Sequence, residues 1–303
     1  MTMQDSRVIT YGVIGCGMMG QEHLRNIALL PGTAIGAIFE PDAAMRARAA
    51  ALAPGARMVD SVADLLAHPG LDCLLIASPN HRHVEQLQAV AAHRPLPVLV
   101  EKPLFTQASD AAAVAELAAR HAAPVWVAME YRYMPPVARL LEMAQEATGG
   151  IRMLSIREHR YPFLSKVGQW NRFNRYSGGT FVEKCCHFFD LMRLALGSDP
   201  VRVMATGGQA LNHLDEVHDG QTPDIFDHGY VAVDFADGTR ACWSCACSPK
   251  DRAGRRRSAP WAPAARSRPS CPVPPASGPR IWAIRRWRRS SCRHANPAGR
   301  RST

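Results

Sequence analysis

The tightest constraint on what this chain can fold into is a glycine turn near its start. Val8 to Ile14 is β-branched and aromatic enough to form a strand, and Gly15-Cys16-Gly17-Met18-Met19-Gly20 follows directly as G-x-G-x-x-G, running on into a helix-like pattern to Ile27. Each glycine has its own task in such a unit. Gly15 permits the tight turn, Gly17 lets the backbone approach a pyrophosphate, and Gly20 lets the helix lie close on the strand. The free N–H groups of the first helical turn, at Met18 and Met19, then face phosphate oxygens. A second apolar run, Thr33 to Phe39, ends in Glu40, 20 residues past Gly20, where a dinucleotide site needs a carboxylate for the adenosine ribose. A lone G-x-G-x-x-G is weak evidence. Strand, turn, helix, strand and acid in order make an ordinary glycine loop the minority reading.

The pattern continues beyond Glu40. An alanine- and arginine-rich helix, a short strand at Arg57 to Val59 and a helix from Ser61 lead to Leu71 to Ala77, a continuous apolar run of the kind buried on both faces of a parallel sheet. It ends in Ser78-Pro79-Asn80. The next strand, Pro97 to Val100, ends in Glu101-Lys102-Pro103, and a sixth is expected at Val125 to Met129. Such alternation specifies a doubly wound parallel α/β sheet, whose ligands gather at the carboxyl ends of the strands. Gly15, Glu40, Ser78 and Lys102 all sit at such ends.

From Met134 the pattern changes to a helix followed by strands of alternating character at Ile151 to His159, Val201 to Thr206 and Tyr230 to Phe235, which predicts a second, α+β domain. Between the strands lie a polar loop, Tyr161 to Ser177, and the segment GGTFVEKCCHFFDLMRLALG from Gly178 to Gly197. In that segment Glu183 and His187 are four apart, so a helix there would place both on one face.

Four motifs occur in a fixed order: GCGMMG with His23 just after it, Ser78-Pro79-Asn80 with His83, Glu101-Lys102-Pro103, and SGGTFVEKCCHFFD. In these the chain resembles the glucose-fructose oxidoreductase, inositol dehydrogenase and rhizopine-catabolism (Gfo/Idh/MocA) family, over roughly Val8 to Gly238. The resemblance implies a Rossmann domain followed by an open-faced, mostly antiparallel sheet, an active site between them, and homo-oligomers formed through that sheet. It places the catalytic lysine at Lys102, the helix histidine at His187 and the carboxylate before it at Glu183. Gly15, Gly17, Met18, Met19, Gly20, Glu40, Ser78, Asn80, His83, Glu101 and Lys102 form the expected cofactor site. Tyr131, Arg132, Trp170, Arg172 and Lys184 are the expected substrate contacts. The family usually has Asp and, two residues on, Gly where this chain has Glu183 and Cys185, so one carboxylate gains a methylene and one backbone position loses freedom.

The reaction implied is hydride transfer between a secondary alcohol of a sugar or polyol and nicotinamide. His187 is the expected general base, Glu183 its orienter or a hydroxyl ligand, and Lys102 the hydrogen-bond donor to the reacting oxygen. NAD is expected over NADP, because Glu40 repels a 2′-phosphate and no arginine follows it immediately. The rival from another class is a non-catalytic sugar- or dinucleotide-sensing regulator of the same fold, against which Lys102 and His187 speak.

Charge adds one qualification. Of 36 Lys+Arg and 26 Asp+Glu, residues 249–303 hold 15 and one, leaving 21 basic and 25 acidic groups in the rest. The overall +10 is therefore not a nucleic-acid signature of the body, and a nucleic-acid partner ranks last. No apolar run long enough for a membrane span occurs, and the first strand begins too early to leave room for a signal segment, so a cytoplasmic chain with its nine cysteines reduced is expected. Cys242, Cys245 and Cys247 lack a fourth ligand at suitable spacing and read as strand residues, and no metal site is expected. The domain reading is 1–130 for NAD binding, 131–248 for substrate and oligomerisation, incomplete, and 249–303 as a basic Pro/Arg-rich disordered tail. From about Trp243 onward no native domain structure is expected, as if the reading frame had slipped inside a strand.

Overall fold

A computed structural model describes residues 7–247 of the chain. The order of elements is β1 (Ile9–Ile14), α1 (Met18–Ala28), β2 (Thr33–Phe39), α2 (Ala43–Leu52), β3 (Arg57–Val59), α3 (Val62–Leu66), β4 (Cys73–Ile76), α4 (His83–His93), β5 (Val98–Val100), α5 (Ala111–Arg120) and β6 (Val125–Val127). These six strands form one sheet in the order β3-β2-β1-β4-β5-β6, and every pair in it is parallel. Their apolar runs have no polar alternation because helices cover both faces. On one side Ile14, Leu74, Ile76 and Val100 meet Leu65, Leu87 and Val90; on the other Val13, Ile38 and Leu75 meet Leu24 and Ile27 of α1. Side-chain caps set two helix starts: Asp42 accepts from the Met45 N–H and Ser61 from the Asp64 N–H.

The second half runs α6 (Pro135–Thr148), β7 (Met153–Arg160), α7 (Asn174–Ser177), α8 (Cys186–Leu196), β8 (Pro200–Gly208), β9 (His228–Phe235) and β10 (Arg240–Cys247). Proline in the first turn of α6 and Gly149 and Gly197 in the left-handed region after α6 and α8 punctuate these helices. The strands form a mixed sheet, β7-β10-β9-β8, with β10 antiparallel to β9 and parallel to β7. Phe188 and Met192 of α8 pack on Leu154, Val231, Val233 and Trp243. The opposite face is open, with Met153, Met204 and Tyr230 at 70%, 54% and 67% exposure.

The structure corrects one expectation here. Trp243 to Cys247 do not lose the domain's structure: they complete β10, in register with β9 and β7 through Ala246. Trp243 is 1% exposed, with Phe181 edge-on at 5.5 Å and Phe188 and Phe189 at 6.3 Å between ring centroids. The physical reason is the period-two burial of Ala241, Trp243 and Cys245, which carries the strand's inner face through this stretch. Cys242, Cys245 and Cys247 are strand residues. The expected tail, 249–303, lies outside the described residues.

Candidate active site

A cleft of about 980 Å³ runs across the carboxyl ends of the parallel strands, from Arg48 and Glu40 past Gly15 and Ser78 to Lys102, with Lys166 and Trp170 of the second half forming its far wall. Gly15 has φ +88°, and a β-carbon there would lie 2.6 Å from the Ser78 backbone. At Gly20 it would lie 2.2 Å from the Gly15 carbonyl oxygen, so strand and helix meet only through glycine. Gly17 differs: a β-carbon would meet nothing within 4 Å and would stand in the cleft itself. The N-terminus of α1 has no side-chain cap, which leaves its first-turn N–H groups for an anion. A shaped opening with uncapped donors fits a dinucleotide pyrophosphate.

At the adenosine end Glu40 is 6% exposed and turned inward. Its Oε2 accepts from the Cys16 N–H at 2.5 Å and its Oε1 from the Asp42 N–H at 2.9 Å. A carboxylate has about four acceptor positions, so two remain for ribose hydroxyls. Burial, with the Glu40 charge added, pushes the Cys16 thiol up to about 12, so this cysteine stays a thiol. Ser78 donates to Gln86 at 2.6 Å. Asn80 lines the cleft and donates to the Ser177 carbonyl at 3.0 Å, joining the two halves of the chain.

His83 is 0% exposed and does not line the cleft. Its ring lies between the carbonyls of Pro103 (2.8 Å) and Ser78 (3.1 Å), so it positions the Ser78 and Lys102 loops and touches no cofactor surface. The sequence pattern marked the residue, and burial changes its role. Glu101 is held by His23 at 2.7 Å. Burial favours its neutral form, yet His23 and Lys102 more than offset this and hold the carboxyl below its ordinary value.

Beyond Glu101 lies a cluster of charge. Lys102 Nζ donates to the Glu183 backbone carbonyl at 3.2 Å. The Glu183 carboxylate, 1% exposed, takes Lys166 at 3.2 Å and Lys184 at 3.4 Å on Oε1, while its Oε2 is buried without a hydrogen bond among the described residues. Burial raises its affinity for a proton, but the ammoniums of Lys184, Lys166 and Lys102 outweigh burial and keep it ionised. Lys184 is pulled down to about 8, chiefly by burial and against the pull of Glu183. Lys166 lies 4.3 Å over the Trp170 ring.

Glu183 does not orient His187. Residues Thr180–Lys184 form a π-turn that ends at Cys185 before α8 begins, so the four-residue spacing does not act as one helical face. His187 Nε2 instead faces Glu130 Oε1 at 3.4 Å, and its ring stacks on Tyr131 with centroids 4.1 Å apart. Burial, and then the charges of Lys102, Lys184 and Arg160, depress it to about 3, so it is neutral. Two expected substrate contacts are corrected. Arg132 is committed to Asp190 through Nε at 2.5 Å and a second, shorter contact, and Arg172, 2% exposed, is buried against Glu216 at 2.8 Å. Sequence reasoning did not single out Lys166, which lines the cleft, or Glu130, which lies beside His187. Lys166 sits in the polar loop already singled out; nothing local marks Glu130.

Fold and cleft together define an α/β protein with a doubly wound parallel sheet, a glycine turn, and a cleft between the strand ends and the second half of the chain. Residues 9–129 match the family described as "Oxidoreductase family, NAD-binding Rossmann fold", and residues 143–253 its "C-terminal alpha/beta domain". The chain belongs to this Gfo/Idh/MocA oxidoreductase family. It is 30% identical over 195 residues to the rhizopine catabolism protein MocA of Rhizobium meliloti, covering 62% of this chain and 57% of that protein. It is 32% identical over 200 residues to an inositol 2-dehydrogenase of Corynebacterium glutamicum (strain R), covering 65% and 57%. The matches thus span 57% of the length of these relatives. The fold is also that of GenD2 from gentamicin A biosynthesis, solved with NAD, with TM-score 0.69, 24% identity and coverage of 80% and 67%. The myo-inositol 2-dehydrogenase of Lactobacillus plantarum aligns with TM-score 0.67, 20% identity and coverage of 80% and 71%. Among the described residues no helix is long and apolar enough to cross a membrane.

Proposed function

We propose that the protein is an NAD(H)-dependent dehydrogenase acting on a secondary hydroxyl of a sugar or an inositol-like polyol. The observation that carries this reading is Lys102 at one end of a cleft whose other end fits a dinucleotide, with its ammonium on the Glu183 carbonyl and its charge acting on the buried His187 behind it. When bound, nicotinamide supplies the two-electron acceptor. The protein's own groups do the rest. The first-turn N–H groups of Met18 and Met19 and the open surface at Gly17 hold the pyrophosphate, and Glu40 takes the ribose. Ser78, Asn80 and Glu101 border the path to the nicotinamide. Lys102 donates to the reacting oxygen and favours its alkoxide character, the buried Glu183 carboxylate holds Lys166 and Lys184 in place, and these lysines with Trp170 and Tyr131 frame the substrate. We assign residues 1–130 to cofactor binding and 131–248 to substrate binding and to self-association through the open sheet face.

NAD is favoured over NADP because the buried Glu40 carboxylate faces the place of a 2′-phosphate. Titration with both cofactors tests this: NAD(H) is expected to bind more tightly, and equal or tighter NADP(H) binding refutes the role of Glu40. A panel of inositols, sugars and linear polyols, followed by nicotinamide absorbance, tests the reaction. NAD binding without turnover of any of them counts against it.

A further inference from the structure

Three ammonium groups converge on Glu183 from separate parts of the chain: Lys102 after β5, Lys166 in the loop after β7, and Lys184 at the end of the π-turn. Lys102 Nζ donates to the Glu183 carbonyl at 3.2 Å, while Lys166 and Lys184 share the single oxygen Oε1 at 3.2 and 3.4 Å. The other carboxylates nearby are engaged elsewhere, Glu101 with His23 at 2.7 Å, Glu158 with Arg160 at 2.7 Å and Glu130 against His187 at 3.4 Å. Each ammonium carries several N–H donors, more than these acceptors use. Lys166 lies 4.3 Å over the Trp170 ring and Lys184 4.9 Å over that of Phe163, and their side chains stay 25% and 21% exposed. Aromatic faces thus hold two ammoniums in place before any ligand arrives. Lys166 and Trp170 also line the cleft that holds Lys102.

We propose that Lys166 and Lys184 are specificity-determining residues that bind a carboxylate on the substrate, so that the molecule oxidised here is a sugar acid such as a uronate or an aldonate. This rests on the dehydrogenase reading above and deepens it. The charge balance selects the anion. With Lys102 committed to the reacting oxygen, Lys166 and Lys184 face the single charge of Glu183 and keep one positive charge between them. That matches a carboxylate, which carries one charge at neutral pH, better than a phosphate ester, which carries about 1.5 to 2. Burial pulls Lys184 down to about 8, against the pull of Glu183 and with the help of Lys102, Arg160 and Lys166, so the cluster is short of negative charge. A bound carboxylate supplies it. Because all three lysines are anchored to one residue, a sugar-sized molecule can present its reacting hydroxyl to Lys102 and its carboxylate to the other two.

Calorimetry on the full chain, with and without NADH, tests the anion site apart from turnover. D-glucuronate and D-gluconate should bind at least about 10-fold more tightly than the neutral D-glucose and D-glucitol, the scale of a hydrogen bond to a charged group, and added salt should shrink the advantage. Equal binding of acids and neutral sugars, or an advantage that ignores salt, overturns the proposal. Tighter binding of glucose 6-phosphate than of either acid overturns the choice of carboxylate. Kinetics then give the ratio of kcat/KM for acid over neutral substrate. Lys166→Met and Lys184→Met, which keep an apolar stem without the charge, should each cut that ratio by about 10-fold or more. Variants in which acid and neutral substrates fall together, leaving the ratio as it was, assign the lysines a structural role and overturn the proposal. A chain that turns over neutral polyols in preference to acids overturns this inference and leaves the dehydrogenase reading standing. Salt-sensitive acid binding with no turnover of any substrate supports the anion site and counts against the dehydrogenase reading instead.

Discussion

At its phosphate end the cleft is made of backbone: Gly15 turned to positive φ, Gly20 against the Gly15 carbonyl, and a helix start with no side-chain cap. Beside its other end, at Lys102, lies side-chain charge, with three lysines around one buried carboxylate and a neutral histidine near a second. The first arrangement depends on shape and is indifferent to pH. The second holds groups that water would otherwise solvate, and it stays in place only while each charge keeps its partner. The two ends should therefore fail differently.

The sharpest separation is between chemistry and cofactor binding. Lys102→Ala and His187→Ala are each expected to lower turnover by about 10²- to 10⁴-fold, in the range for groups that handle the reacting proton and oxygen, while calorimetry shows NAD affinity unchanged. A parallel loss of affinity would break the division between the two ends.

Removing Glu183 comes next. Glu183→Gln strips the counter-charge from Lys166 and Lys184, and breaking such a buried pair by removing one partner costs about 3–5 kcal/mol, to be read from denaturant unfolding. A variant of unchanged stability would mean that water already shields these lysines.

The glycines sharpen the other side. Gly20→Ala forces a β-carbon onto the Gly15 carbonyl and should lower stability by about 1–3 kcal/mol, the usual scale of overpacking. Gly17→Ala, with open space around it, should leave the melting temperature nearly unchanged and weaken NAD binding instead. If both variants lose stability equally, Gly17 is not where the pyrophosphate approaches.

The most gradual effect is in pH dependence. The folded chain resists protonating His187 until about pH 3, while the unfolded chain takes that proton near 6.5. Stability from this residue is thus complete above 6.5 and falls as pH drops through that window, by up to about 1.4 kcal/mol per pH unit for one proton. Glu183, depressed below its ordinary 4.5, adds a loss of the same sign at lower pH. His187→Phe, which keeps a ring against Tyr131, should flatten the upper part of the slope in urea midpoints taken across the acid range. An unchanged slope would remove His187 from the acid response.

The contrast between the two ends also marks what could be read before folding. The strand, G-x-G-x-x-G and helix at Val8 to Ile27, the carboxylate at Glu40 and the uninterrupted apolar run of β4 were legible because each is specified within a few residues by backbone conformation and hydrophobic period. The ends of parallel strands follow from that alternation, and with them the row from Gly15 to Lys102. What side chains do at those ends depends on neighbours distant in sequence. His83 became a buried tie, Arg132 and Arg172 went to Asp190 and Glu216, and β10 acquired an inner face only where β7 and β9 flank it. The spacing of Glu183 and His187 implied a partnership that a π-turn dissolves, and Glu130, unmarked by any local pattern, took the histidine instead. The sequence by itself determined the Rossmann half, its glycine turn and the row of strand ends, because local backbone preferences and burial period act over short stretches. Only the tertiary structure decided which charges meet, because those pairings are set by the docking of a second sheet and its helix against the strand ends of the first.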